Sequence, residues 1–164
     1  MKKIKLTCAH AIIKHLIAQK ILIDGKKEQL FAGAFGIFGH GNVACLGQAL
    51  QENQDKLPTY RGHHEQNMAL TGIAYARAKR RKQFFVATSS VGPGSTNMVT
   101  AAAVAMSNRL PILLLPGDTF SSRLAQMNSP FQKLGEDNIS EPSNLFRLFR
   151  VQQIAHRKRF HFQP

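Results

Sequence analysis

The chain has 164 residues, 43% of them hydrophobic, and carries 22 Lys plus Arg against nine Asp plus Glu, a formal charge of +13. That length and apolar content suit one domain with a packed core and exclude a low-complexity disordered chain or a small scaffold held by metal or disulfides. Cys8 and Cys45 are too few and too far apart for a disulfide framework or a Cys-rich zinc site, and read as plain core residues of a reduced cytoplasmic protein.

In chain order, Thr7 caps a predicted helix running to about Lys20, with Ile12, Ile13, Leu16 and Ile17 on one stripe and Asp24-Gly25 closing it. Phe31 to Phe38 reads as a strand that enters the glycine-rich turn Gly39-His40-Gly41-Asn42, from which a helix runs to about Glu52. Leu57 to Arg61 is a short strand, and Gln66 to about Arg80 a helix rich in Ala, Met and Ile. Phe84-Phe85-Val86-Ala87-Thr88 is an unbroken apolar strand, the pattern of a parallel sheet covered on both faces. After the turn Val91-Gly92-Pro93-Gly94, a helix dense in small residues spans Ser95 to Asn108, and Pro111 to Pro116 is the last strand. This alternation specifies an α/β fold: an open, mostly parallel sheet with helices on both faces.

The surplus charge raises a basic nucleic-acid-binding module as an alternative, because a basic face releases counterions from phosphates. The densest run, Arg77 to Lys82, falls at the end of a predicted helix, where cations complement the helix dipole on a solvated face. No recognition-helix, zinc-finger or aromatic single-strand signature accompanies it, so nucleic acid is disfavoured as a partner. Met1-Lys2-Lys3-Ile4-Lys5-Leu6 begins like a signal peptide, but His10, Lys14, His15 and Gln19 interrupt the next segment. No apolar run reaches membrane-spanning length, and a cytoplasmic protein without a membrane partner is expected.

In an open parallel sheet, ligands collect at the carboxyl ends of the strands. Three turns fall there: Gly39-His40-Gly41-Asn42, Gly62-His63-His64-Glu65 and Val91-Gly92-Pro93-Gly94. Glu65, a rare acid at a helix start, could be only a favourable charge on the dipole, and Gly92-Pro93-Gly94 only a tight turn. The glycines match neither a Walker phosphate loop nor a dinucleotide fingerprint. His40, His63 and His64 lack a carboxylate or Cys spacing that would complete a metal site, and Ser89, Ser90 and Ser95 lack a Gly-x-Ser-x-Gly elbow. The residues by themselves define a sheet-edge cleft with one well-placed carboxylate.

The His64-Glu65-Gln66 turn, the Thr88-to-Asn97 segment and the Pro111-Ile112-Leu113-Leu114-Leu115-Pro116-Gly117 strand, in that order and spacing, resemble the pyrimidine-binding domain of thiamine-diphosphate enzymes of the acetolactate synthase superfamily. Phe38-Gly39-His40-Gly41-Asn42, Val91-Gly92-Pro93-Gly94 and Leu114-Leu115-Pro116-Gly117-Asp118-Thr119-Phe120 look like a branch that hydrolyses a carbon–carbon bond in the ring of a cyclic diketone during myo-inositol catabolism. The resemblance implies that Glu65 is catalytic and hydrogen-bonds N1′ of the cofactor's aminopyrimidine, sharing a proton with it. It implies that the turn around Gly92 and Pro93 approaches the pyrimidine or its neighbouring wall, and that Gly39, His40 and Asn42 face the substrate side. Gln66 and Asn97 are read as structural hydrogen-bonders.

The resemblance covers about residues 1–125, expected to form the pyrimidine-binding domain. Complete enzymes of the family add a middle domain and a diphosphate-binding domain whose Gly-Asp-Gly motif and later Asn hold Mg²⁺ and the diphosphate; Gly117-Asp118-Thr119 is not that motif. The chain is therefore expected to bind only the pyrimidine end of thiamine diphosphate, to supply no metal ligand, and to be inactive alone. Residues 126–164 are expected to be a divergent basic tail, with Arg147, Arg150, Arg157, Lys158 and Arg159 and no acid after Glu141, read either as a solvated arm or, the favoured reading, as the product of a frameshift or early stop. The expected partners are a second copy or a separate diphosphate-domain chain that completes the site, and, in the complete enzyme, a small cyclic diketone.

Overall fold

The computed structural model describes residues 4–117. The expected boundary near residue 125 and the basic segment 126–164 lie outside the described residues.

Helix α1 (Cys8–Ala18) starts where Thr7, in extended conformation, accepts a hydrogen bond from the His10 backbone N–H at 3.2 Å. Its buried residues Ala9, Ile13 and Leu16 follow helical spacing. The helix ends at Gln19, whose N–H donates to the Leu16 carbonyl. Asp24-Gly25 does not close it: this pair, with φ of 50° and 79°, is the two-residue turn of an antiparallel hairpin formed by β1 (Lys20–Ile23) and β2 (Lys26–Gln29). Positive φ at both central residues is the geometry that suits Asp-Gly between twisted strands. Cys8 and Cys45 are both exposed, which corrects their reading as core residues. Cys8 lies off the Ala9/Ile13/Leu16 stripe, and Cys45 sits in a segment with no buried residue.

Four strands, β3 (Phe31–Gly36), β4 (Thr59–Arg61), β5 (Phe84–Ser89) and β6 (Leu113–Pro116), form an all-parallel sheet in the order β4-β3-β5-β6. Every residue of β5 is buried, because alternate side chains enter two separate cores. Ala34 and Val86 face α1, Leu57 and the Ala49-Leu50 pair. Ala87 and Leu114 face Ala69 and Ile73 of α4 (Glu65–Ala78) and the Ala101, Ala102 and Ala105 row of α6 (Val99–Asn108). Helices thus cover both faces, as the unbroken apolar strand implied. The alanine row of α6 lets that helix lie close to the sheet.

Two helices are less regular than their patterns. Between β3 and β4 the chain runs through α2 (Gly39–Asn42), a π-helical turn (Val43–Gly47) and α3 (Gln48–Gln51), the wide turn being closed by the Gln48 N–H on the Val43 carbonyl. The helix expected from Ser95 instead begins two residues earlier as α5 (Pro93–Asn97), with Pro93 in its first turn, where a proline's missing N–H costs nothing. Fully buried Met98 separates it from α6.

His10 joins α1 to the end of α3. Its Nε2 donates to Glu52 Oε2 at 2.8 Å, and its Nδ1 shares a 2.6 Å hydrogen bond with Thr7 Oγ1. The His10 bond, reinforced by one from Gln48, holds the Glu52 carboxyl below its ordinary value of 4.5. A lowered native value means that the unfolded chain binds more protons in that interval, so this stabilisation is present above pH 4.5 and is lost as the pH falls through the native value. Glu52→Gln is expected to flatten the acid limb of stability below that pH, read from urea melts at stepped pH; an unchanged limb would show that the contact does not persist in solution.

Candidate functional site

The three turns named by the sequence are brought to one edge by parallel pairing, since β3, β4 and β5 all end there. The β3–β5 ladder continues one step beyond the strands, with the Ile37 N–H donating to the Thr88 carbonyl at 3.2 Å. Gly39 then turns with φ of 67°, a region open to glycine at little cost. A Cβ there would lie 2.6 Å from Ser90 Cβ and 3.3 Å from Ser90 Cα, so the turns after β3 and β5 touch. Asn42 Nδ2 reaches the Ser89 carbonyl at 3.5 Å, a long contact between the same two turns. His40 is exposed.

The turn after β5 is fixed from below by Ser95, a fully buried hydroxyl. Ser95 Oγ lies 2.6 Å from the Ser90 carbonyl oxygen, 2.9 Å from that of Gly117 and 3.3 Å from Ser89 Oγ. The Gly117 N–H in turn donates to the Ser89 carbonyl at 3.0 Å. Ser95 therefore knots the exits of β5 and β6 together, and its oxygen is engaged with neighbours rather than offered to a ligand. Gly92 is buried at φ 64° and ψ −122°, a conformation that β-carbon sterics deny to other residues. It directs exposed Pro93 outward at the edge.

Glu65 is the first residue of α4, after His64 in extended conformation, and the residue is half-buried. It is the only acid between positions 56 and 117, and its place at a helix N-terminus is electrostatically favourable. Because α4 packs over β5 and α6, Glu65 meets the turn after β5 rather than staying beside its own strand. Asn97 Nδ2 donates to Glu65 Oε2 at 3.1 Å. The other oxygen, Oε1, lies beside Gly94, where a Cβ would stand 3.0 Å from it. One carboxylate oxygen is thus committed to an amide, and the second lies against a backbone kept bare by glycine.

The structure therefore joins Glu65 to the Gly92-Pro93-Gly94 turn through Gly94 and Asn97, and joins the Gly39 and Asn42 turn to Ser89 and Ser90. Asn97, read from sequence as a structural hydrogen-bonder, bonds the Glu65 side chain itself. Gly94 and Ser95 also shape the edge; the sequence signal for both is their place in the glycine-proline turn. Among the described residues, no three His, Cys, Asp or Glu side chains are grouped to hold a metal ion. Chemically, the edge offers a carboxylate with one oxygen bonded to Asn97 and the other beside the Gly94 backbone.

A family model described as thiamine pyrophosphate enzyme, N-terminal TPP binding domain, matches residues 18–140. Curated relatives include 3D-(3,5/4)-trihydroxycyclohexane-1,2-dione hydrolases from Clostridium tetani and Geobacillus thermodenitrificans, each 54% identical over 123 residues. A third, from Bacillus thuringiensis, is 50% identical over 123 residues. These stretches cover 75% of this chain and 19% of each relative, so the chain spans about a fifth of the length of the curated relatives it matches. Among the described residues, no helix is long and apolar enough to cross a membrane.

Proposed function

Because the chain belongs to the family of N-terminal TPP-binding domains of thiamine pyrophosphate enzymes, we propose that its carboxyl-edge cleft receives the aminopyrimidine end of thiamine diphosphate, with Glu65 as the residue that contacts N1′. The observation carrying this reading is the Glu65 carboxylate itself: one oxygen held by Asn97 at 3.1 Å, the other beside Gly94. The donor set fits the group. An aminopyrimidine ring is flat and presents a ring nitrogen that can accept or share a proton, matching a carboxyl oxygen beside a glycine. When bound, the cofactor supplies the electron sink needed to break a carbon–carbon bond.

The chain's own residues have four tasks in this reading. Glu65 holds a proton at the N1′ position, and Asn97 fixes which carboxyl oxygen faces it. Gly92 and Pro93 form the wall beside the ring, and Gly39, His40 and Asn42 the substrate side. The substrate would be a cyclic diketone whose ring is opened by carbon–carbon hydrolysis, the chemistry in the name of the hydrolases it resembles. Mg²⁺ and the diphosphate would be held by a second domain, on a partner copy or a separate chain, which makes residues 1–125 one half of a shared site.

The test uses thiamine, which carries the pyrimidine without phosphates. Saturation-transfer NMR on the purified chain should show stronger transfer to the pyrimidine protons than to the thiazolium protons. Glu65→Gln and Asn97→Ala should each weaken it. An analogue with carbon in place of N1′ should bind poorly to the parent chain and lose nothing further with Glu65→Gln, as expected when both changes remove one contact. Equal transfer to both rings, or additive losses, would count against the Glu65–N1′ contact.

A further inference from the structure

At the opposite edge of the sheet, where β5 and β6 begin, lies a cavity of about 370 Å³ lined by Arg77, Arg80, Arg81, Asn108 and Leu110. Residues 66–117 contain Arg77, Lys79, Arg80, Arg81, Lys82 and Arg109 and no Asp or Glu. Among the described residues, Arg77 and Arg80 have no carboxylate partner. Like charges gathered without an acid repel one another, and a bound anion relieves that repulsion.

The backbone adds an independent sign. Arg80, Arg81 and Arg109 have φ of 51°, 64° and 54°, three of the four non-glycine residues with positive φ among the described residues. Glycine or asparagine normally occupies such positions after a helix. The arginines are thus poorly suited to the two turns they occupy, Arg80 and Arg81 after α4 and Arg109 after α6, and strained residues of this kind often mark ligand sites. Arg81 is also anchored: Nε donates to the Arg109 carbonyl at 2.8 Å and Nη2 to that of Asn108 at 3.4 Å. Its guanidinium is held at the cavity wall while Arg77 and Arg80 remain exposed.

We propose that this cavity binds an organic polyphosphate, a small molecule with two or more phosphate charges and an apolar part. Guanidinium forks match phosphate oxygens in pairs. Leu110, almost fully buried, supplies an apolar floor. Asn108 Nδ2 donates to the Val104 carbonyl at 2.9 Å, which leaves its Oδ1 to accept from a ligand hydroxyl or amine. The volume falls within the roughly 300–1,000 Å³ of small-molecule pockets.

Calorimetric titration of the 164-residue chain with ATP, inorganic pyrophosphate and adenosine tests the assignment. ATP should saturate one site, pyrophosphate should bind more weakly, and adenosine should give no saturable heat. The double variant Arg77→Gln/Arg80→Gln should weaken ATP at least about tenfold, with circular dichroism unchanged because both side chains are exposed. Lys26→Gln/Lys27→Gln, which removes the same charge from the turn end of the β1–β2 hairpin and touches none of the lining residues, should change affinity by less than about twofold. Glu65→Gln should leave ATP binding intact, which separates this site from the thiamine reading. Titration with thiamine diphosphate in the Glu65→Gln background shows whether that cofactor's own diphosphate is an alternative source of the same chemistry. Absence of a saturating site for ATP, or equal weakening by the two double variants, would overturn the proposal; pyrophosphate binding as tightly as ATP would overturn its organic half.

Discussion

Glu65→Gln is expected to lower the proposed hydrolysis of a cyclic diketone by about 10²–10⁴-fold, the range typical of a removed acid–base group. The chain would be assayed with thiamine diphosphate, Mg²⁺ and the diphosphate-binding domain proposed to complete the site. The substitution keeps the side chain's size and an oxygen for Asn97, whose Nδ2 now donates to Glu65 Oε2 at 3.1 Å. What it removes is the ability to hold or release a proton. The loss should therefore appear in kcat, with thermal unfolding of the chain little changed. A variant within a few-fold of the parent would remove Glu65 from the proposed mechanism, while a large fall in melting temperature would assign it a structural role instead. Asn97→Ala should give a smaller loss of the same kind, because it frees the carboxylate to rotate without deleting it.

Gly39→Ala should destabilise the chain by about 2–5 kcal/mol, and Gly41→Ala, two residues away, should not. At Gly39 the cost has two parts. A β-carbon in the left-handed region costs about 1–2 kcal/mol, and forcing it into a filled space adds about 1–3 kcal/mol. The space is filled by Ser90, whose Cβ and Cα would lie 2.6 and 3.3 Å away. A Cβ placed on Gly41 would meet nothing within 4 Å; this glycine has no positive φ and lies inside α2. Alanine there should be neutral or stabilising by about 0.4–1 kcal/mol through the unfolded state. Urea melts of the two variants decide the matter, and similar values for both would mean that the contact between the turns after β3 and β5 is not maintained in solution. Because Gly39 sits on the proposed substrate side, its variant should also lose activity in excess of its loss of folded population.

The sheet and its covering helices are legible because β5 is an unbroken apolar run and because α4 and α6 carry small and aliphatic residues at helical spacing. The hairpin is not. Lys26-Lys27-Glu28-Gln29 has no alternating apolar residues, so its pairing with β1 rests on the Asp24-Gly25 turn and main-chain bonds rather than on burial. The π-helical turn at Val43–Gly47 is hidden for a related reason: it is a change of hydrogen-bond partner by one residue, and side-chain periodicity barely registers that. At the site, Glu65 stands out as a rare acid at a helix start, but its bond to Asn97 spans 32 positions. Only the packing of α4 across β5 brings the two together, and that is a property of the sheet order. The basic run Arg77 to Lys82 has the pattern of a solvated helix end; its cavity depends on Asn108 and Leu110, which reach it from the next connection.

The full burial of β5 between two cores has a consequence for how the molecule opens. Amides in that strand can exchange with solvent only when both cores have separated from the sheet, so their protection should approach that of global unfolding. The hairpin β1–β2 forms its own two-stranded sheet and meets only the first core, through Ile21 and the Gln29 bonds to the Leu16 and Ile17 carbonyls, so its amides should exchange more readily than those of β5. The Ser89-to-Gly94 turn therefore grows directly out of the most protected strand, and the wall beside Glu65 inherits the persistence of the whole fold.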